Sequence, residues 1–265
     1  MKRLINGKAL SIGLPAVFGG VFFAIWYALR FSLELHHYEL PTPIEILQAG
    51  WKQRVPLARA TFTTFIGSAS GFILAAIIGF LLSIFLAASS VLRRGLYPYI
   101  ICMQMIPIIA TSAIIVLWLD VGLVSVATIA FFISFFPIVA NSLHGLRSVP
   151  LEQVELFHIY KASRVQEFLH LRIPFSLPSL FTGLKIAATL SVIGSVTGEI
   201  FAGSSEGSGG LGFMIIIYKS KYWIPEMFAA TFLCCLLGFI FVGFVLALKW
   251  LLLHRWYDKT IHKDA

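Results

Sequence analysis

The stretch LEQVELFHIYKASRVQEFLHLRIPFSLPSLFTGLKIAATL, residues 151–190, begins as a charged, histidine-bearing segment and ends as an apolar run. The chain around it is mostly apolar: of its 265 residues, 58% are hydrophobic and 12% are charged. An ordinary soluble domain carries about 25% charged residues. The composition therefore predicts a single membrane domain, in which this polar segment connects two parts of the bundle.

The positive net charge of the chain is consistent with a membrane domain. The formal net charge is +8, but the charges lie in short segments between apolar runs, without the basic patch and interleaved aromatics of a nucleic-acid site. We therefore expect no nucleic-acid partner. The three cysteines all lie inside apolar runs, so we expect neither a disulfide framework nor a zinc site, and no metal or cofactor.

Six apolar runs are long enough to cross a bilayer, which predicts an all-α, polytopic membrane helical bundle of about six transmembrane helices. The first run is longer than the core of a signal peptide and lacks a small-residue cleavage site, so we expect it to be retained. Only three residues, Asp-Val-Gly, separate the third and fourth runs, which predicts a tight helical hairpin. The six runs are 9–29, 61–88, 98–119, 121–143, 180–202 and 228–252.

The distribution of lysine and arginine sets the expected orientation. If the N-terminus is cytoplasmic, the inside segments hold thirteen of these residues and the outside segments six. Because cytoplasmic loops are enriched in Lys and Arg, both termini are expected in the cytoplasm. The polar loop at 144–179 then faces the cytoplasm, and segments 30–60 and 203–227 face outward.

The cytoplasmic loop has the composition of a helical pair. It contains no glycine or proline between Pro150 and Pro174, and proline is well suited to a helix start. Its apolar residues recur at helical spacing. Two interpretations remain open at this point: the apolar face folds back on the bundle, or it docks on a separate cytoplasmic protein. Polar residues are expected on the other faces, at Glu152, Glu155, Lys161, Arg164, Gln166 and Glu167.

The loop resembles the EAA motif of permease subunits in ATP-binding-cassette (ABC) importers. That motif reads Glu-Ala-Ala, three residues, Gly, nine residues, then Ile-x-Leu-Pro. Here Glu155 stands for its Glu, Leu156 and Phe157 for the two alanines, and Lys161 for the glycine. Ala162 and Ser163 follow it, and the motif closes at Leu171, Ile173 and Pro174. The segment from Tyr160 to Gly212 is similar to the nitrate, sulfonate, taurine and thiamine-precursor branch of the family.

The resemblance implies a fold, partners and a role. The fold is that of type I importer permeases (MetI-like), as one transmembrane permease domain over 1–265 with a coupling loop at 144–179. The implied partners are a cytoplasmic ABC ATPase in two copies, a periplasmic or lipid-anchored substrate-binding protein, a second permease copy in a homodimer, and membrane lipid. The subunit would lie in the bacterial inner membrane and carry no ATPase site itself. It would import a small nutrient: a thiamine-precursor pyrimidine or riboflavin in preference to nitrate, taurine or another sulfonate.

Two departures from the motif concern the shape of the loop. Leu156 and Phe157 are bulkier than two alanines, which implies a bulkier plug in the ATPase cleft. Lys161 replaces a glycine, and a left-handed backbone there costs a non-glycine residue about 1–2 kcal/mol. We expect that the turn uses ordinary backbone angles instead. Lys161 is then either available to an acidic ATPase surface or simply solvated.

Three polar residues inside the apolar runs are candidates for the translocation pathway. Glu199 lies near the outer end of the fifth run, where an acid is either functional or a carboxylate at the outer interface that is hydrated or paired. Gln104 and Asn141 are the other two, with hydrogen bonding between helices as the alternative. Pro107 and Pro137 are expected to kink their helices.

An intramembrane enzyme with a Ser or His site is the alternative function. The histidines form no His-Glu-x-x-His motif, and the serines of GSASG at 67–71 also suit close helix packing. The Gly-x-Gly-x-x-Gly at 207–212 follows a membrane span and not a strand, so we interpret it as a flexible outer turn. The apolar positions Ile44, Leu47 and Trp51 suit a short surface helix within 40–54, or a simple connector.

Overall fold

A computed structural model describes residues 2–34, 36, 39–203 and 209–261, with side-chain detail for 14, 17–34, 36, 39–203 and 209–253. Within these ranges every regular element is helical, as expected for an all-α bundle. The N-terminal half comprises α1 (Lys2–Ser32), α2 (Pro43–Lys52), α3 (Arg54–Ala88), α4 (Ser90–Met103), α5 (Ile108–Leu119) and α6 (Leu123–Arg147). The C-terminal half comprises α7 (Leu151–Ile159), α8 (Arg164–Glu167), a π-helical turn (Phe168–Arg172), α9 (Ile173–Ala202), α10 (Leu211–Ser220) and α11 (Ile224–Ile261).

Four of the described helical segments are long and apolar enough to cross a membrane: Arg54–Ala88, Leu123–Arg147, Arg164–Ala202 and Ile224–Leu253. They confirm the second, fourth, fifth and sixth expected spans. The first expected span lies within α1, whose described apolar part is Val17–Ser32. Counting the bent pair α4 and α5 as one crossing gives up to five spans in the described part of the chain.

The third expected span, 98–119, is formed by two helices and not by one. Helices α4 and α5 meet at an angle of 96°, and the break falls at residues 104–107. Pro107 lies at the start of α5, where the missing N–H of proline costs no helical hydrogen bond. The expected disruption at Pro107 is therefore a complete break, whereas Pro137 lies inside the uninterrupted α6.

The centre of the bundle is formed by α3, α6 and α9, which pack closely through small residues. A Cβ placed on Gly71 would lie 2.6 Å from the carbonyl oxygen of Ala127, and one on Gly194 would lie 2.8 Å from Cα of Ala130. Such contacts let helix backbones approach closely where lipid supplies no hydrophobic driving force between helices. The first helix, by contrast, leaves large apolar side chains such as Phe18 and Phe22 exposed on its surface.

The outer segment before α3 forms the expected short helix, α2. A capping box starts it: Thr42 Oγ1 accepts from the Glu45 N–H at 3.3 Å, and Glu45 Oε2 accepts from the Thr42 N–H at 2.7 Å. Ile46 and Ala49 are buried, whereas Leu47 and Trp51 of the expected apolar face remain exposed. The helix is thus packed against the bundle on one side and presents apolar side chains on the other.

Candidate functional site

The loop at 144–179 folds as the helical pair that its composition predicts. Pro150 precedes the first residue of α7, and a second capping box starts α8. In that box Ser163 Oγ accepts from the Gln166 N–H at 3.3 Å, while Gln166 Oε1 accepts from the Ser163 N–H at 2.8 Å. The motif residue Ser163 therefore sets where the second loop helix begins.

Lys161 has a φ of 54°, so the expectation of ordinary backbone angles at this position is wrong. The N–H of Lys161 donates to the His158 carbonyl at 2.9 Å, and the N–H of Ala162 donates to the Phe157 carbonyl at 3.0 Å. This pair of hydrogen bonds is the Schellman motif, in which the residue after the helix end adopts a left-handed conformation, usually as glycine. The geometry that terminates α7 thus explains why the EAA motif carries glycine here, and Lys161 bears a conformational cost of about 1–2 kcal/mol.

A buried ion pair ties the loop to the membrane helices. Glu167 was expected on a polar outer face, but its side chain is only 9% exposed. Its Oε1 lies 2.6 Å from both Nε and Nη2 of Arg172, and its Oε2 lies 3.5 Å from Nε2 of His158. Arg172 also donates through Nη1 to the Leu146 carbonyl at 3.3 Å. We call these four residues the loop anchor, because they join α7, α8, the π-helical turn and the end of α6.

The loop carries large apolar side chains that are mostly exposed within the described part of the chain. Helix α7 buries none of its residues. Ile159 is 75% exposed and Tyr160 is 78% exposed. Adjacent large apolar side chains that are exposed to this extent are typical of a surface that binds another molecule. We define the docking face by its exposed apolar residues, Leu156, Ile159, Tyr160 and Val165.

The other motif residues divide between the docking face and the bundle. Glu155, Lys161 and Ser163 are exposed beside the docking face. The half-buried members are Phe157, Ala162, Leu171, Ile173 and Pro174. The motif thus presents its N-terminal part outward, while its C-terminal part enters α9.

Glu199 lies in a buried hydrogen-bonded cluster near the outer end of α9. Only 2% of the residue is exposed. Its carboxylate accepts from the Gly212 N–H at 2.8 Å, from Thr64 Oγ1 at 3.0 Å and from Ser195 Oγ at 3.4 Å. Thr64 Oγ1 in turn accepts from the Leu211 N–H at 2.9 Å. We call these five residues the Glu199 cluster.

The cluster caps the N-terminus of α10 with side chains from two other helices. The N–H groups of Leu211 and Gly212 have no carbonyl partner inside α10, and a carboxylate is stabilised at this positive end of the helix dipole. Of the ion pairs between described residues, none includes Glu199. Hydrogen bonds and the helix terminus therefore stabilise this carboxylate, which is buried and not hydrated.

Gly210 and Gly212 make this approach possible. A Cβ on Gly210 would lie 2.1 Å from Cδ of Glu199, and one on Gly212 would lie 2.3 Å from the carbonyl oxygen of Val196. Neither gap admits a side chain. Residues 204–208 of the glycine-rich stretch lie outside the described residues, but the interpretation of a flexible turn is wrong at Gly210 and Gly212. The sequence feature that indicates this contact is an acid, Glu199, at the end of one helix, followed by glycines just before the next helix.

Gln104 and Asn141 are not part of this cluster. Gln104 is exposed at the end of α4, beside the break. Asn141 is half-buried in α6, and its Nδ2 donates to the Pro137 carbonyl of its own helix at 2.8 Å. Among the hydrogen bonds of the described residues, none connects these two residues with Glu199. The structure therefore does not gather the three pathway candidates in one place.

The GSASG segment, the basis of the serine-enzyme alternative, is used for packing. Ser68 Oγ donates to the Thr64 carbonyl at 2.7 Å, and Ser70 Oγ donates to the Ile66 carbonyl at 2.8 Å, both within α3. A Cβ on Gly67 would lie 2.7 Å from Ser195 Oγ of α9. The serines bond to their own helix and the glycines permit close contact with neighbouring helices.

The fold and the loop define a class: a polytopic helical membrane subunit that presents a structured, exposed loop between two spans. The chain belongs to the family of inner membrane components of binding-protein-dependent transport systems, the permeases of ABC importers, whose family model matches residues 79–262. Membership implies an ATPase and a substrate-binding protein as partners and places the chain in the inner membrane. The family is one of transporters and not of catalytic enzymes, so the intramembrane-enzyme alternative receives no support.

Known proteins similar to this chain agree with the family. The formylaminopyrimidine transport permease protein ThiX of Halalkalibacterium halodurans is 34% identical over 208 residues, covering 77% of this chain and 80% of that protein. The nitrate import permease protein NrtB of Synechocystis is 26% identical over 246 residues, covering 89% and 87%. A chain of the inward-facing MetNI methionine ABC transporter matches with a TM-score of 0.57 at 19% identity, covering 74% of this chain and 97% of that one. This last similarity supports the MetI-like fold.

Proposed function

We propose that residues 1–265 form a single permease domain without an ATPase site of its own, which works as a homodimer. Both termini and the coupling loop at 144–179 face the cytoplasm in this proposal. The excess of Lys and Arg in the corresponding segments supports the orientation. Each copy supplies one coupling loop, and two copies match the two clefts of an ATPase dimer.

The docking face is the observation that carries the proposal. It exposes Ile159 and Tyr160 beside the carboxylate of Glu155, on a helix none of whose residues is fully buried. An amphipathic helix with an exposed apolar side and a charge beside it suits a groove in another protein. We assign that groove to the ATPase, with Glu155 pairing with a basic side chain there and Lys161 available to an acidic one.

The loop anchor gives the docked loop a mechanical connection to the bundle. Arg172 bonds both Glu167 in the loop and the last turn of α6 through Leu146, while Gly145 of α6 packs against Ser176 of α9. Motion of the ATPase surface is therefore transmitted to α6 and α9 together. Rigid-body rocking of packed helices is a common means of switching between two states, here inward-open and outward-open.

Reversing the charge at Glu155 tests the docking. We expect Glu155→Arg to reduce co-purification of the ATPase and transport at least about tenfold, because a like charge opposed to a basic residue costs several kcal/mol. The measurement is pull-down of the ATPase by the tagged permease, together with uptake in cells. Gln153→Arg is the matched control, because residue 153 lies about 200° around the same helix from residue 155. Equal ATPase recovery with Glu155→Arg and with Gln153→Arg contradicts the assignment.

We propose a small heteroaromatic nutrient as the substrate, of the thiamine-precursor pyrimidine or riboflavin class. The similarity to a formylaminopyrimidine permease, at 34% identity, is higher than that to a nitrate permease, at 26%. The segment LKIAATLSVIGSVTGE at 184–199, which includes Glu199, supports the same choice by resemblance. Aliphatic sulfonates, taurine and nitrate are the competing substrates.

The substrate class is tested by measuring which ligands the cognate substrate-binding protein binds. We expect the cognate substrate-binding protein, titrated calorimetrically, to bind formylaminopyrimidine or riboflavin at least about a hundredfold more tightly than nitrate or taurine, since a site built for ring hydrogen bonds rejects ligands that lack them. Uptake of the bound ligand should require this permease. Preferential binding of nitrate or a sulfonate contradicts the proposed class but leaves the importer assignment intact.

A further inference from the structure

A basic pocket lies where the cytoplasmic end of α6 meets α4. It is a cavity of about 320 Å³, within the usual range of about 300–1,000 Å³ for small-molecule sites. Its polar lining consists of Arg93, Tyr97, His144, Arg147 and Ser148, and its two remaining lining residues are alanine and leucine. The pocket therefore gathers cationic and hydrogen-bond-donating groups and contains no carboxylate.

Helix capping explains only part of this charge. His144 and Arg147 occupy the last turn of α6, where basic side chains complement the negative end of the helix dipole. Arg93 comes from a different helix, and its guanidinium is held over the pocket by a 3.5 Å contact from Nη1 to the Leu86 carbonyl of α3. Tyr97 lies one turn further along α4. Neither Arg93 nor Arg147 belongs to an ion pair between described residues.

We propose that this pocket binds the phosphate of an anionic phospholipid from the cytoplasmic leaflet. Guanidinium groups bind phosphate oxygens in paired hydrogen bonds, and two arginines from separate helices can contact one phosphate from two sides. Basic pockets between membrane helices on the cytoplasmic side are suited to anionic headgroups. The placement in that leaflet rests on the orientation in the proposed function.

The surface beside the pocket favours a lipid over a free anion. Helix α4 buries none of its residues. Its exposed side chains next to Arg93 are Val91, Leu92, Leu96 and Tyr99. Acyl chains attached to a bound phosphate have an apolar surface to cover there, whereas inorganic phosphate leaves it uncovered. A phospholipid therefore satisfies both the cationic pocket and the apolar helix that forms its wall.

The test compares lipids with identical acyl chains. The purified full-length protein in mild detergent is titrated with dioleoyl phosphatidylglycerol, dioleoyl phosphatidylcholine or inorganic phosphate, and the bound species are counted by native mass spectrometry. We expect the anionic lipid to bind at least about tenfold more tightly than the zwitterionic one. Arg93→Gln combined with Arg147→Gln should remove that preference, and Arg94→Gln, an exposed neighbour outside the pocket, should retain it.

Each other result overturns the proposal. Equal binding of the two lipids, or an unchanged preference in the double variant, shows that the pocket does not select the headgroup. Competition by millimolar inorganic phosphate without lipid selectivity shows that the ligand is a free anion. If the double variant fails to fold, Arg147→Gln alone is measured, because Arg147 is exposed. The readout needs no ATPase, so failure of ATPase co-purification contradicts the proposed function without affecting this result.

Discussion

Replacing Glu199 by alanine is expected to destabilise the folded permease by about 2–3 kcal/mol, because a buried donor left without an acceptor costs about 1–3 kcal/mol. Thr64 Oγ1 and Ser195 Oγ retain backbone acceptors, the carbonyls of Ala60 and Thr64. The Gly212 N–H loses its only recorded acceptor, and α10 also loses the carboxylate at its N-terminus. Most of the expected loss of stability therefore comes from the unpaired Gly212 N–H and from the uncompensated dipole of α10.

Thermal unfolding of the purified protein in detergent measures this effect. A loss of 2–3 kcal/mol corresponds to a decrease in Tm of about 5–10 °C for a chain of this size. Transport should fall at least about tenfold, because the N-terminus of α10 is no longer held on α3 and α9. Glu199→Gln keeps one acceptor oxygen for the Gly212 N–H, so its Tm and its transport should lie between those of the wild type and those of Glu199→Ala.

The control for Glu199 is another acid near the outer side of the bundle. Glu226 lies in the first turn of α11 and takes part in none of the hydrogen bonds recorded for the described residues. Glu226→Ala should lower Tm by no more than about 3 °C, because an acid in the first turn of a helix contributes only about 0.3–1 kcal/mol through the helix dipole. If Glu199→Ala unfolds at the same temperature as Glu226→Ala, the capping role of Glu199 is refuted.

Replacing Glu167 by alanine is expected to uncouple the ATPase from transport. The substitution leaves the Arg172 guanidinium, whose side chain is 22% exposed, without its carboxylate. Removing one partner of a buried pair costs about 3–5 kcal/mol, and the partial exposure of Arg172 favours the lower end. The docking face is unchanged, so the ATPase should still co-purify while transport falls at least about tenfold.

Two further variants show whether the transport defect of Glu167→Ala comes from lost stability or from the lost connection between the loop and α6. Glu167→Leu combined with Arg172→Met removes both charges, and it should recover most of the stability while transport stays low, because the connection to Leu146 is still missing. Glu152→Ala removes an exposed acid of the same loop and should change neither quantity. Full transport by the double variant would falsify the role of the loop anchor in coupling.

Much of the fold was predictable because apolar runs in a membrane must form helices. Four expected spans coincide with helical segments long enough to cross a membrane, although the segment expected from 180 begins at Arg164. The helical pair of the loop followed from Pro150 and its periodicity. The third expected span was predicted with a kink at Pro107 but not with a complete break, because average hydropathy does not report the direction of the chain. The run across Pro107 is apolar throughout, yet the chain turns by 96° there.

The site was predictable where spacing along the chain carries the information. The EAA spacing from Glu155 to Pro174 and the glycine position at Lys161 were identified from sequence. The conformation of Lys161 was not, because whether a helix ends in a left-handed residue depends on hydrogen bonds formed only once the turn closes. Glu167 was assigned to the solvent face because its partners Arg172 and His158 lie in the π-helical turn and in α7, and helical periodicity alone does not bring these three side chains together.

The sequence by itself determined that this is a membrane permease of the importer family, with a polar loop between two spans that carries Glu155. Composition and short spacings decide these points, since lipid imposes helices on apolar runs. Only the tertiary structure decided the role of Glu199: its donors Thr64 and Gly212 come from α3 and α10, 135 and 13 residues away. A buried carboxylate is defined by the groups that surround it, and these meet only when the helices pack.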